Sequence, residues 1–329
     1  MHDLLHRLVA EFSLPVDKTT RLWQLSKLHE PSPALAKHTE RGLGAVAALL
    51  LGAGLIFWIA ANWQDQSRQF KFYLIQAVLL ASLIGALAWP RGRSALLLLA
   101  TLALGGLLAF IGQTYQTGAD PWQLFAAWGA LALLWTVAAR SDMLWAVWVL
   151  VVGTGIALWS GDQLFSPLGN TLGRSWTKSA LTPMLWALLV LAIALVSRTS
   201  LQAQDGKVPG QLHGRYAFRL AVLLALAAWC TYGIWGLFEK GESSYVVNGL
   251  FVVGTAALAW VSKPRDITVL AMAVLALNVL FLAGVVHTMF DGGWGDWLGK
   301  LFMFSLIAMA SVGASGSWIY KLQRAEVAV

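Results

Sequence analysis

The chain has 329 residues, 58% of them hydrophobic and only 12% charged, with a formal net charge of +7 and a mean hydropathy of +0.66. A soluble domain carries roughly 25% charged residues, and a water-soluble core cannot hide this much apolar surface, so the bilayer is the solvent. The basic balance, which in a soluble chain would suggest nucleic acid, is therefore read by its distribution along the chain rather than by its sum.

Residues 1–42 stand apart, because Arg7, Glu11, Asp17, Lys18, Arg21, Lys27, Glu30, Lys37, Glu40 and Arg41 break every apolar run long enough to be a signal-peptide core. Leu4, Leu5, Leu8, Val9 and Phe12 share one helical face, and Leu22, Trp23, Leu25 and Leu28 form a second apolar stretch. Two short amphipathic helices separated at Pro15 are expected, forming a cytoplasmic cap or a membrane-surface pair.

After residue 42, apolar windows of about 20 residues, the length that crosses a hydrocarbon core of about 30 Å, recur to the end. The spans are expected near 43–61, 70–89, 94–112, 123–139, 143–159, 181–197, 217–237, 245–262, 266–288 and 299–319. The fold class is an all-α polytopic membrane protein of about ten transmembrane helices. Basic residues are retained on the cytoplasmic side. With the N-terminus inside, only Arg68, Lys71, Arg174, Lys178, Lys240 and Lys300 fall outside, and both termini are cytoplasmic. Cys230 lies within a span as a small core residue.

Gly44, Ala48 and Gly52, then Gly105 and Ala109, recur at four-residue spacing, which lets helix backbones approach closely. Most tryptophans, among them Trp63, Trp89, Trp122, Trp159, Trp260 and Trp297, fall near span ends and read as interfacial anchors.

The chain also resembles itself. Ala86-Leu87-Ala88-Trp89-Pro90-Arg91 matches Ala257-Leu258-Ala259-Trp260 followed by Lys263-Pro264-Arg265, and Gln113 aligns with His287. A parallel internal repeat pairs spans one to four with spans seven to ten. The expected organisation is a cytoplasmic amphipathic segment 1–42, a four-helix unit 43–139, a connection 140–216 containing spans five and six, and a second four-helix unit 217–329. The repeat would bring Gln113 and His287 to one outer face.

Three loops on that face hold the least lipid-like residues: Asn62 to Gln66, Gly112 to Trp122, and His287 to Trp297. Amides that both donate and accept, beside aromatic faces, suit a sugar or a lipid head group. The candidate ligand-binding residues are Asn62, Trp63, Gln64, Gln113, Tyr115, Gln116, Asp120 and His287. Asp120 also stands where it would cap the next helix. The outer acids and His287 belong to separate loops, which argues against acid-base catalysis, and no catalytic residue is assigned. No motif for a metal, a cofactor or nucleic acid is present. The spans lack the mid-membrane charge usual in ion-coupled pumps. Their deepest polar side chains are Gln76, Asn248 and Asn278, and Asn278 is expected to hydrogen-bond a neighbouring helix.

Trp58-Ile59-Ala60-Ala61-Asn62-Trp63-Gln64, and Gly112-Gln113-x-Tyr115-Gln116-Thr117-Gly118-Ala119-Asp120 with the Trp-rich helix after it, resemble a bacterial family of predicted inner-membrane proteins. The family is known as a domain of unknown function, number twenty-one fifty-seven, and the likeness spans about residues 1–160. It implies a multi-span protein of the bacterial cytoplasmic membrane, with another membrane protein as companion, and no established activity. The positions matching its motifs are Asn62, Trp63, Gln64, Gln113, Tyr115, Gln116 and Asp120. The leading expectation is a binder or transporter of a small molecule or lipid; the alternatives are a non-catalytic subunit of a membrane complex and, last, an enzyme on a lipid-linked substrate.

Overall fold

The computed structural model describes residues 9, 11–12, 15–26, 33–62, 66–115, 118, 120–161, 176–202, 214–238, 242–262, 265–290 and 297–327. Among these there are eleven helices and no strand: α1 (Val16–Ser26), α2 (Pro33–Ala61), α3 (Arg68–Ala88), α4 (Arg93–Tyr115), α5 (Pro121–Ala139), α6 (Asp142–Trp159), α7 (Trp176–Gln202), α8 (Arg215–Phe238), α9 (Glu242–Val261), α10 (Ile267–Phe290) and α11 (Trp297–Val327). Nine of them, α2–α6 and α8–α11, are long and apolar enough to cross a membrane, and α7 carries a shorter apolar stretch, Leu181–Ser197. Each expected span falls on one of these ten helices. Of the two amphipathic helices expected before residue 42, α1 is the second and starts directly after Pro15, while the Leu4–Phe12 face lies largely outside the described residues. The first span is the end of a longer helix, for α2 runs back to Pro33.

Local chemistry sets the helix ends. Ser67 caps α3 by accepting the Phe70 N–H at 3.2 Å, and α3 stops at Trp89, whose helical conformation Pro90 disfavours. Pro121 opens α5, where its missing N–H costs nothing. Arg140 closes α5 in the left-handed region at φ 48°, turning the chain directly into α6.

Two helices organise the bundle. α4 packs against α2, α3, α5 and α6, and α8 packs against α6, α7, α9 and α10, so α6 joins the two halves. α4 and α8 are also the most deeply buried spans, at 44% and 56% of their apolar windows. The four-residue stripe is an interface: Ala48 is buried, and a Cβ on Gly44 or Gly52 would meet Ala95 or Leu102 of α4 at 3.3 and 2.8 Å. The α2–α5 and α8–α11 groups share a contact plan, in which the third helix packs on the first, second and fourth. They differ at one place: α8 and α9 pack closely, whereas α2 and α3 make no comparable contact.

Tryptophans do more than anchor span ends. Trp128 Nε1 donates to the Thr101 carbonyl at 2.9 Å, Trp135 Nε1 to Thr101 Oγ1 at 2.9 Å, Trp148 Nε1 to the Gly129 carbonyl at 2.8 Å and Trp229 Nε1 to the Pro183 carbonyl at 3.2 Å. Trp186 and Trp229 are among the largest fully buried side chains. An indole buried in lipid needs an acceptor for its N–H; a neighbouring helix supplies one to Trp128, Trp135, Trp148 and Trp229, whereas Trp186 Nε1 has no partner among the described residues. Asn278, as expected, bonds across helices: it donates to Ser315 Oγ at 3.0 Å and accepts from Ser311, fixing α11 to α10.

At the basic end, acidic side chains tie helix starts together. Asp142, in the first turn of α6, accepts the Tyr216 and Ala217 N–H groups that begin α8, at 3.1 and 3.3 Å. Asp266 precedes α10 and receives the Arg219 guanidinium through two bonds of 2.9 and 3.0 Å, with Arg215 at 3.6 Å. The starts of α6, α8 and α10 therefore lie at one end. Burial pushes the Asp266 carboxyl up, but Arg219, Arg215 and the Val269 N–H outweigh it and hold its pKa below the ordinary value. A depressed folded-state pKa contributes stability that is full above the unfolded value of about 3.9 and lost as pH falls through the folded one. Asp266→Asn should cost about 2 kcal/mol at neutral pH, the scale of a bond to a charged group. In thermal melts of detergent-purified protein, the gap between wild type and variant should close below about pH 4.

Candidate functional site

α2 and α3 meet at one end, where Trp58 faces Phe70 at 6.4 Å, but pack less closely than α8 and α9, and a cavity of about 570 Å³ opens between α2, α3, α4 and α5. Leu55 and Ile59 from α2, Ile75 from α3, and Leu102, Gly106, Ala109 and Phe110 from α4 line it. Trp128 forms the α5 wall. Gly105 lets that indole lie against α4, for a Cβ there would stand 2.3 Å from the ring. The Trp128 N–H is already given to Thr101, so the side chain that brings free polar atoms to the cavity is Gln113, two residues before the end of α4. The arrangement suits an apolar chain with a neutral polar group at the Gln113 end. Its walls could not solvate a charge.

The other sequence-derived candidates are dispersed. Asn62 turns its amide back on its own helix, donating from Nδ2 to the Trp58 carbonyl at 2.9 Å, which closes the end of α2. Trp63, Gln64 and Gln116 lie outside the described residues. Tyr115 is exposed at the last position of α4. Asp120 occupies the N-cap position of α5 in an extended conformation, yet its side chain makes no capping bond; its Oδ2 accepts the Trp122 indole N–H at 3.3 Å instead. The expectation of capping is corrected to that extent: the neighbouring indole N–H, not a backbone N–H of the first turn, takes the carboxylate.

His287 belongs to α10, half-buried, with its ring edge-on to Phe238 of α8 at 5.6 Å. Gln113 looks into a cavity of the first half while His287 packs in the second, so the two are built into different surroundings. Among the described residues no group of three or more His, Cys, Asp or Glu could hold a metal ion.

Some polar features escape sequence reading. Lys71, expected on the outer side at the start of the second span, is buried in the first turn of α3. Nearby in sequence, Gln66 Oε1 is buried and has no hydrogen-bond partner among the described residues. Asp142 and Asp266 tie helices rather than ligands. Their one signal in the sequence is a carboxylate at a helix start, the place where a helix dipole favours it.

Comparison with known families places this arrangement. Residues 6–145 match the model of the family described as Predicted membrane protein (DUF2157). The match runs from the N-terminal segment into the start of α6, so it contains the whole cavity, and it agrees with the resemblance carried by the Asn62–Gln64 and Gln113–Asp120 motifs. No curated protein and no solved structure matches the chain.

Trp128 and Gly105 set the cavity wall together, which gives a direct test. Gly105→Val should cost about 1–3 kcal/mol, the scale of core overpacking, because the ring cannot retreat without losing Thr101. Trp128→Phe should cost about 1 kcal/mol for the lost bond. Thermal unfolding in detergent reads both, and a Gly105→Val protein as stable as wild type would refute this packing.

Proposed function

We propose that this multi-pass membrane protein binds a lipid-like amphiphile, its apolar chain in the cavity between α2, α3, α4 and α5 and its polar group at Gln113. The observation that carries this reading is the chemistry of the lining: apolar walls at membrane depth, ending in one amide. Asn and Gln side chains offer both donor and acceptor to a neutral or zwitterionic group, and a ligand reaching the cavity from the bilayer needs no aqueous path. Gly106 provides the means of testing it, since nothing lies within 4 Å of where its Cβ would be. Gly106→Leu fills the cavity without a clash and also favours the helix. Wild-type protein purified in mild detergent should retain an extractable amphiphile detectable by mass spectrometry. Gly106→Leu should lose it while melting no lower than wild type, and Gln113→Leu should weaken its retention. If the filled variant holds the same molecule in the same amount, the reading fails.

The same reading places the protein in the bacterial cytoplasmic membrane with the basic end inside, because Arg91, Arg93, Arg140, Arg215, Arg219 and Arg265 all lie at connections on that side of the helix order. Gln113 then faces outward. It also treats α2–α5 and α8–α11 as parallel repeats, supported by the shared contact plan and by equal spacing of starts, Arg68 to Arg93 in one and Glu242 to Ile267 in the other. Single cysteines introduced at Arg91 and Tyr115 in a Cys230→Ala background should react with an impermeant thiol reagent from opposite sides of right-side-out vesicles. Labelling of both from one side would rule the orientation out.

A second reading, a subunit of a membrane complex, is favoured by α11. Its apolar window has no residue buried inside the chain, and Ala310, Gly313, Ala314 and Ser317 are exposed on it. Recovery of the protein from native membranes with a stoichiometric membrane companion would support that reading.

A further inference from the structure

A second cavity, of about 540 Å³, lies at the other end of the α2–α4 seam. Its mouth holds Glu40 and Arg41 from α2, Arg91 and Gly92 from the turn between α3 and α4, and Ser94 from the first turn of α4. Below this polar rim the walls are apolar, with Gly44, Ala48 and Leu51 facing Leu96 and Leu99. The two cavities are therefore end to end, and Leu99 lines both.

The chemistry here is unlike that at Gln113. Among the described residues the rim carries two guanidinium groups and one carboxylate. Arg41 and Arg91 come from different elements, so an anion between them could be held from both sides, and guanidinium groups match phosphate oxygens in pairs. α4 begins at this mouth, and the first amides of a helix, with its dipole, favour negative charge. Ser94 adds a hydroxyl. The apolar walls belong to two membrane spans, so a molecule filling the site carries a charged group at the interface and a hydrocarbon segment reaching into the bilayer depth.

We infer that this cavity binds an anionic phospholipid, its phosphate between Arg41 and Arg91 and its first acyl segment along Leu51 and Leu96. A free phosphate would satisfy the rim but leave the apolar walls without an occupant, and a zwitterionic lipid would bring a cation to the two guanidinium groups. The inference does not rest on the ligand proposed at Gln113, since the two cavities share only Leu99 among their lining residues and the charged rim belongs to this one alone.

The test uses the full chain in a neutral detergent, titrated with phosphatidylglycerol, phosphatidylcholine or inorganic phosphate and read by native mass spectrometry. Phosphatidylglycerol should bind saturably and in preference to phosphatidylcholine. Arg41→Gln/Arg91→Gln should weaken it roughly thirtyfold, on the scale expected for two interfacial basic residues. Arg91→Gln alone should weaken it roughly fivefold by the same scale, which keeps the test open if the double variant folds poorly. Arg140→Gln, a charge change elsewhere, and Gly106→Leu, which fills only the other cavity, should leave it unchanged. Equal affinity for phosphatidylcholine would overturn the inference, as would inorganic phosphate binding as well as the lipid. So would phosphatidylglycerol binding that survives removal of Arg91, or that is lost in Gly106→Leu.

Discussion

Indole N–H groups donated to the carbonyls of neighbouring helices hold this bundle in register. In lipid the helices gain nothing from hiding apolar surface from each other, since the acyl chains are as apolar as leucine. Close approach and hydrogen bonding must supply what the hydrophobic effect gives a soluble core. Thr101 shows how: its carbonyl takes Trp128 and its hydroxyl takes Trp135, both from α5, while the hydroxyl itself donates to Leu97. Gly105, one turn on, gives the Trp128 ring its room. Remove any one of these and the wall of the first cavity moves.

The two halves differ in how closely their first two helices pack. Where α8 and α9 meet, the second group is filled by Trp229 stacked on Phe251 and by Tyr245 donating to the Leu280 carbonyl at 2.8 Å. Where α2 and α3 pack less closely, the first group holds the cavity that ends at Gln113, and the residues matched to a family model contain it. The small residues of the α2–α4 seam have a double effect, for they bring the two helices close in the middle and leave grooves at either end.

The spans were legible because apolar length is a property of contiguous sequence, and the punctuation that ends them, such as Pro90, Pro121 and Arg140, is local too. Gly44, Ala48 and Gly52 were legible as an interface for the same reason. The roles of Trp128, Trp148 and Trp229 were not: a tryptophan near a span end and one donating to another helix look alike until the partner 27, 19 or 46 residues away is in place. Of the polar motif residues, Gln113 is the one the fold turns into a cavity. Asn62 bonds its own helix and Asp120 its neighbour Trp122, a use of polar atoms that composition could not separate from ligand binding. The cavities themselves were out of reach, because they depend on how closely helices distant in sequence approach one another.

The bond from Asp142 to the start of α8 carries a consequence for how the chain is made. Its donor, the Tyr216 amide, comes 74 residues later in the sequence. Until Tyr216 has been added, that carboxylate has no donor from α8. The two halves are thus stitched at their seam only after synthesis has passed Tyr216, and a chain released before that point has every span of the first half but no partner for the acid that docks it.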